Sequence, residues 1–484
     1  MICVVILYVA IGLLAVLVSV MAVNTRRRKP QPNNTAPFEP LALDENRLAL
    51  NLSGMIRIKT VTTANERDVA REAFLSFHEY LEKTYPLAHK TLEKETVNTY
   101  SLLYRWPGKD PEKKPCMLTA HMDVVPVAES TLHKWEYPPF SGEIANGYVW
   151  GRGGLDCKGQ LANIMESVEY LLADGFTPER DIYIAMGHDE ESMGDMGARM
   201  IADLLHERGV RLEFVLDEGG TLMNGAEIGV GGLIAAVGIA EKRCMYIRLV
   251  AESPGGHAAM PPRRTAVGDV ARAIAALEKR PFRCVLNETL RHMLECIGGH
   301  MKFPFNVLMS NIWLTKPLLL KGFSMIPAGA AMMRTTMAPT MMKGSSAMNA
   351  LAEKAEAIVS VRLLPGQSVE ETLARIKDIA GKRVKVEMVR AHGSSGVSSV
   401  SSDAYRLIKR TIEGMFGGCI VMPYLTLPAT DSRWYEKVAD DIYRFEPHKS
   451  LMDDGMTIHA TGERLRFDSL REGTEFFIRL IRSA

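Results

Sequence analysis

The first two dozen residues follow a different hydrophobic rule from the rest of the chain. Residues 2–23 are an unbroken run of apolar and small residues, about 22 long, followed by Arg26, Arg27 and Arg28. That length crosses a hydrocarbon core of roughly 30 Å. It exceeds the apolar core of a usual signal peptide and has no basic segment ahead of it, although Val20-x-Ala22 has the form of a cleavage site. Residues 1–24 are therefore expected to be a transmembrane anchor or a signal segment, and the protein membrane-anchored or secreted. The arginines favour a cytosolic body. Three glycosylation patterns, at Asn33, Asn51 and Asn287, point the other way, so both topologies stay open. Residues 25–42, rich in Arg, Pro and Asn, read as a linker.

Beyond the linker, apolar positions spaced by three and four predict helix over 43–84. Short apolar runs at 99–106, 116–120, 147–150, 181–186 and 213–216 read as strands, with helical patterns at 160–172 and 196–208 between them. Such alternation predicts an α/β domain around a central, mostly parallel sheet, whose functional loops gather beyond the carboxyl ends of the strands.

After Glu241 the pattern changes to strand at 244–250, helix at 265–279, strand at 357–364, helix at 369–379 and strand at 384–389. This predicts an inserted α+β domain over 244–392, dividing the catalytic domain into 43–243 and 393–484. Residues 301–348 are Met-rich without a clear period, which suits pliable apolar packing better than metal ligation. The Ser- and Gly-rich stretch 393–402 reads as the return crossing, and helices are expected near 403–415 and 463–481.

Composition adds boundaries. At 484 residues the chain is long enough for two domains. It is 47% hydrophobic and 24% charged, with a net charge of +1, so nothing calls for nucleic acid as a partner. Seven cysteines without C-x-x-C spacing read as mostly buried thiols, with a Cys284–Cys296 bridge left open.

The chemistry lies at the strand ends. His121 and Asp123 close one apolar run, Glu190 and Glu191 follow another, and Asp217 ends a third. Asp156 lies in the turn Trp150-Gly-Arg-Gly-Gly-Leu-Asp156, and His459 is near the C-terminus. Taken singly, each acid is an ordinary surface charge and His121 an ordinary core histidine. Together, imidazole and carboxylate ligands arriving on separate loops suit a pair of divalent metals, two zinc ions per chain. Asp156 would bridge them, His121 and Asp217 completing one site, Glu191 and His459 the other. Glu190 is then free to take a proton from water and return it to a leaving nitrogen. Asp123 is placed to hydrogen-bond the imidazole nitrogen of His121 that faces away from the metal.

These residues stand in His121-Met-Asp123-Val-Val-Pro, Gly151-Arg-Gly-Gly-Leu-Asp156-x-Lys158, Gly187-His-Asp-Glu190-Glu191 and Val215-Leu-Asp217-Glu-Gly-Gly. In combination they resemble the aminoacylase/carboxypeptidase S family of co-catalytic zinc peptidases. Trp135-Glu-Tyr-Pro-Pro-Phe-Ser-Gly, Arg334-Thr-Thr, Leu364-Pro-Gly-Gln and Thr430-Asp-Ser-Arg433 look closest to its N-fatty-acyl-amino acid synthase/hydrolase and carboxypeptidase S branch. The resemblance implies that the inserted domain is a lid that also forms a homodimer. It implies that His257, in Pro254-Gly-Gly-His257, stabilises an oxyanion, often in the partner subunit's site. Arg362 would hold the substrate's carboxylate, for which a bidentate fork is suited, and Asn349 matches a lid asparagine. Three departures stand out: no proline after Asn349, His459-Ala-Thr-Gly-Glu463 in place of His-Gly-x-x-Glu, and Gly154 and Cys157 around Asp156.

The expected function is hydrolysis, and reversibly formation, of the amide bond of an N-acyl, in particular N-fatty-acyl, amino acid. Two alternatives remain: a carboxypeptidase acting on short peptides, and an inactive membrane-associated scaffold.

Overall fold

Strands Cys116–His121, Ile182–Gly187 and Leu212–Asp217 are buried along nearly their whole length, as strands covered on both faces must be. They lie at the centre of the sheet in the computed structural model, which describes residues 1–28, 35–63, 70–393, 396–450 and 457–484. The strand order is Glu93–Val97, Ser101–Trp106, Ile182–Gly187, Cys116–His121, Leu212–Asp217, Ala439–Arg444, Leu233–Glu241, Thr221–Asn224 and Lys449–Ser450, with Ile420–Thr426 beside Leu233–Glu241. The four strands from Ile182–Gly187 to Ala439–Arg444 run parallel, and antiparallel pairs flank them. Helices Lys158–Ala173, Phe467–Ser483 and Glu45–Arg57 pack together over one face, and Ala198–Glu207 covers the other. The α/β class with a mostly parallel sheet is the one expected.

The predicted helix over 43–84 is instead two helices, Glu45–Arg57 and Arg71–Thr84. Between them Lys59-Thr-Val-Thr-Thr is β-branched, and such residues lose rotamers in a helix. This run is extended: Val61 bridges to Val124, and the Thr60 hydroxyl donates to the Met122 carbonyl at 2.6 Å. Residues 64–69, also inside that predicted helix, lie outside the described residues, as do parts of the linker and of the return crossing. Strands Ile420–Thr426 and Ala439–Arg444 had no expectation; Pro423 argues against a strand but is tolerated at the sheet's edge.

The insertion contains two structures. One is a four-stranded antiparallel sheet of Thr336–Lys343, Lys354–Leu363, Arg243–Glu252 and Lys385–Ala391, backed by helices Ala266–Lys279 and Val369–Ala380 around its own core. The other is helical, made of Glu288–Gly298 and, from the first part of the Met-rich stretch 301–348, Phe305–Ser310, Ile312–Ser324 and Pro327–Met333. Its buried residues, among them Leu290, Leu294, Met309 and Met333, share a core with Ile234 and Ile420 of the catalytic sheet. The helical part therefore packs on the large sheet, with a core separate from that of the inserted four-stranded sheet.

Residues Ile2–Arg27 form one helix with no buried residue. Cys284 and Cys296 are free thiols. Two of the three glycosylation-pattern asparagines are engaged internally: Asn51 donates to Glu166 at 2.6 Å, and Asn287 caps a helix and donates to the Met332 carbonyl at 2.7 Å. Asn33 lies outside the described residues.

Candidate metal centre

His121 ends its strand at the carboxyl edge of the sheet, buried, and its backbone N–H donates to the Cys157 sulfur at 3.0 Å. Its Nε2 lies 2.9 Å from Asp156 Oδ1. The other Asp156 oxygen lies 2.9 Å from His459 Nε2, which is also 3.0 Å from Glu191 Oε1. One carboxylate thus stands between two imidazoles. Burial opposes the charge on Asp156, but hydrogen bonds to His121 and His459 hold its carboxyl well below the ordinary range.

Asp156 is held from behind. One oxygen of Glu463 accepts the backbone N–H groups of Gly153 and Leu155 at 3.0 Å and of Asp156 at 3.2 Å, and the other pairs with Arg152. Gly153 has φ 84° and Gly151 φ 146°, so the glycines of this turn are conformational requirements.

Asp123 has a double role. Its Oδ1 lies 3.2 Å from His121 Nδ1, the contact expected from the sequence. Its two oxygens also accept the N–H groups of Glu190 and Glu191, each at 3.1 Å, which fixes the turn after strand Ile182–Gly187. Glu191 then faces His459 while Glu190 points elsewhere, 3.7 Å from the buried Arg433. Burial pushes the Glu190 carboxyl well above its ordinary range; Glu218 and Glu191 push the same way, against His121 and Arg433. Asp431, in the motif Thr430-Asp-Ser-Arg433, adds repulsion, and neither of its buried oxygens has a hydrogen-bond partner among the described residues.

Asp217 is buried at its strand end, but its Oδ2 accepts the backbone N–H of Ser432 at 2.8 Å. The next residue, Glu218, faces the site instead, with Oε1 3.6 Å from His121 Nε2. Burial pushes Glu218 up to about 8. His121, Asp156 and Glu191 converge closely enough to hold one cation, as do His121, Cys157 and Glu218. Apart from the Cys157 thiol the donors are imidazole and carboxylate, and burial raises both Glu191 and Glu218. A pocket of acids that resist ionisation in the absence of a cation fits metal ions well.

The lid residues lie elsewhere. His257 and Asn349 are exposed neighbours on a two-stranded ribbon, where His257 pairs with Ala350 and the Asn349 carbonyl accepts from Ala258 at 2.9 Å. Neither makes a described contact with the cluster. Arg362 is on strand Lys354–Leu363, opposite Cys244, and its charge acts on His392 together with that of Arg433, the arginine beside Glu190.

A mostly parallel sheet with carboxylates, the buried His121 and the exposed His459 converging at its carboxyl edge, and an inserted α+β unit, defines a metal-dependent hydrolase. The chain matches peptidase family M20/M25/M40 over residues 117–483 and belongs to that family, whose members act on amide and peptide bonds. It is 34% identical to the N-fatty-acyl-amino acid synthase/hydrolase PM20D1 of Xenopus tropicalis, covering 97% of this chain and 93% of that one. It is 36% identical to probable carboxypeptidase S-like 2 of Dictyostelium discoideum, covering 91% and 86%, and 30% identical to carboxypeptidase S of Saccharomyces cerevisiae, covering 86% and 80%. The M20 metallo-carboxypeptidase Sso-CP2 of Sulfolobus solfataricus shares the fold, with a TM-score of 0.67 at 19% identity over 91% of this chain and all of that one.

Proposed function

We propose that this chain hydrolyses the amide bond of N-fatty-acyl amino acids, and forms it when the products are abundant, using two zinc ions per chain. The placement of Asp156 between His121 and His459 carries the reading, because a shared carboxylate is what a bridged pair of ions needs. His121, Asp156 and Glu218 would hold one ion, with Glu218 taking the place expected of Asp217; Asp156, Glu191 and His459 would hold the other. Zinc bound there would act as a Lewis acid and lower the pKa of water toward 7.

Glu190, partly buried and beside the cluster, takes the proton of the attacking water and hands it to the leaving nitrogen; a carboxyl raised by burial is suited to both steps. Arg433 keeps Glu190 in place. Arg362 holds the substrate's carboxylate with its guanidinium fork. His257, exposed on a ribbon apart from the cluster, acts in the partner subunit's site of a lid-mediated homodimer and stabilises the oxyanion there, and its neighbour Asn349 contributes to substrate binding. The Ile2–Arg27 helix, long and apolar enough to cross a membrane, is the anchor.

Relatives named carboxypeptidase S favour a second reading, release of C-terminal residues from short peptides by the same carboxylate clamp. Incubating the purified chain with N-oleoyl-phenylalanine and with a matched dipeptide, with zinc or with a chelator, separates the two. Zinc-dependent release of phenylalanine from the lipid supports the first reading. Cleavage of the dipeptide with the lipid untouched overturns it in favour of the second.

A further inference from the structure

The helix Ile312–Ser324 is apolar on two opposite faces. Thr315 and Leu319 face inward, while Trp313, Leu314 and Leu318 are 60%, 41% and 58% exposed along the other side at helical spacing. Met325, just beyond its end, and Phe303, ahead of the preceding helix, are about four-fifths exposed. A helix with apolar residues on both sides needs a cover on each, and soluble proteins rarely leave such a patch bare. The charge pattern is one-sided as well. No Asp or Glu occurs between Glu295 and Glu353, while Lys302, Lys316 and Lys321 stand exposed around the patch.

Position identifies the cover. The Ile2–Arg27 helix packs against helix Phe305–Ser310, and the link there is polar and partly buried. Asn24 donates to the Asn311 side-chain oxygen at 3.0 Å, Asn311 donates to the Met21 carbonyl at 3.3 Å, and Arg28 pairs with Glu295 at 3.3 Å. Along the N-terminal helix, the partly covered residues are Leu17, Met21, Asn24, Thr25 and Arg28, a stripe at spacings of three and four. At 1.5 Å per residue, Leu17 lies roughly 10 Å from Asn24 along the axis, inside the apolar run. The body therefore meets this helix at a depth that belongs to the bilayer.

We propose that residues 303–326 form a second, peripheral contact with the same phospholipid bilayer, Trp313 and its apolar neighbours entering the boundary between headgroups and acyl chains; this rests on the anchor reading above. Tryptophan favours that boundary, and lysines at the rim reach headgroup phosphates while their stems cover apolar surface. A second copy of this chain is the poorer partner, because each patch would bring three lysines and no acid to the contact.

The test uses the full chain in phosphatidylcholine/phosphatidylserine vesicles carrying acyl chains brominated near the headgroup, with intrinsic tryptophan fluorescence as the readout. The other four tryptophans are at positions 106, 135, 150 and 434, in the catalytic body. Bromolipid should quench the emission, and Trp313→Phe, a mild change at an exposed position, should remove most of that quenching. Leu314→Glu/Leu318→Glu should weaken it while the chain stays on the vesicles. A chain that floats with the vesicles but shows no quenching, or quenching that Trp313→Phe leaves unchanged, overturns the proposal. Shielding of Trp313 from iodide in a dimer, without bromolipid quenching, overturns it in favour of a second copy. A chain that does not float at all overturns the anchor reading, and the proposal with it.

Discussion

Glu463 accepts the backbone N–H of Asp156 at 3.2 Å, and with it those of Gly153 and Leu155, so one buried carboxylate sets the loop that carries the proposed shared ligand. Charge-assisted bonds of this kind are the stronger class. Glu463→Ala is expected to weaken zinc binding about 10–100-fold, the usual effect of losing support behind a ligand. A zinc titration of the purified variant checks this, and unchanged affinity would show that the loop holds itself.

The two oxygens of Asp123 each take one backbone N–H, from Glu190 and Glu191. Asparagine keeps one acceptor and turns an amide toward the other N–H. Asp123→Asn should therefore lower kcat about 10–100-fold with KM little changed, since the base and a ligand are displaced together. Steady-state rates on the substrate of the wild type decide it; a loss confined to KM would contradict this role.

Glu218 and Asp217 make opposite predictions about metal content. Glu218→Gln should reduce zinc from about two ions to about one per chain. Asp217→Asn should keep both ions and lower thermal stability instead, because the buried Asp217 carboxylate accepts from Ser432 at 2.8 Å. The reverse pattern would restore Asp217 as the ligand.

This pair also shows where sequence reading ends. The gathering of candidate site residues at strand ends was legible because His121, Glu190 and Glu191 follow strands whose apolar runs are plain. The expectation of Asp217 rather than Glu218 as a ligand had no pattern behind it, since strand Leu212–Asp217 is covered on both faces and its composition does not mark which side faces the site. Glu463 appeared only as part of a variant motif, because its role consists of backbone contacts from residues some 300 positions away in sequence. The helices over 305–333 were invisible for a physical reason: with both faces of Ile312–Ser324 apolar, no amphipathic period survives. Three strands and both helices of the inserted sheet unit were read close to their observed bounds, while strand Thr336–Lys343, inside the Met-rich stretch, was not.

Lys242 joins the catalytic sheet to the lid, and its buried ammonium donates to the carbonyls of Ala331 and Arg334, both at 2.9 Å. Burial, helped by Arg362 and Arg334, pushes it down from 10.5 to about 7. The unfolded chain therefore binds this proton more tightly than the folded one, and folding stability rises with pH across that window. The Tm of the wild type relative to Lys242→Met should increase between about pH 7 and pH 10. Scanning fluorimetry across that range checks the sign, and a flat difference would place the charged form comfortably in the fold.

Glu190→Gln should leave the metal ligands and the fold intact while lowering turnover about 10²–10⁴-fold, the usual worth of a general base. Rates measured beside zinc content and Tm separate this from collapse of the site. Full activity in the variant would move the base role to another residue.

The central claim is a pair of metal ions sharing Asp156, and counting zinc on the purified chain tests it most directly. Elemental analysis against protein concentration should give about two ions per wild-type chain, and fewer in Asp156→Asn, which weakens both sites together. One ion per wild-type chain, or two that survive loss of the Asp156 carboxylate, would contradict the shared-ligand account.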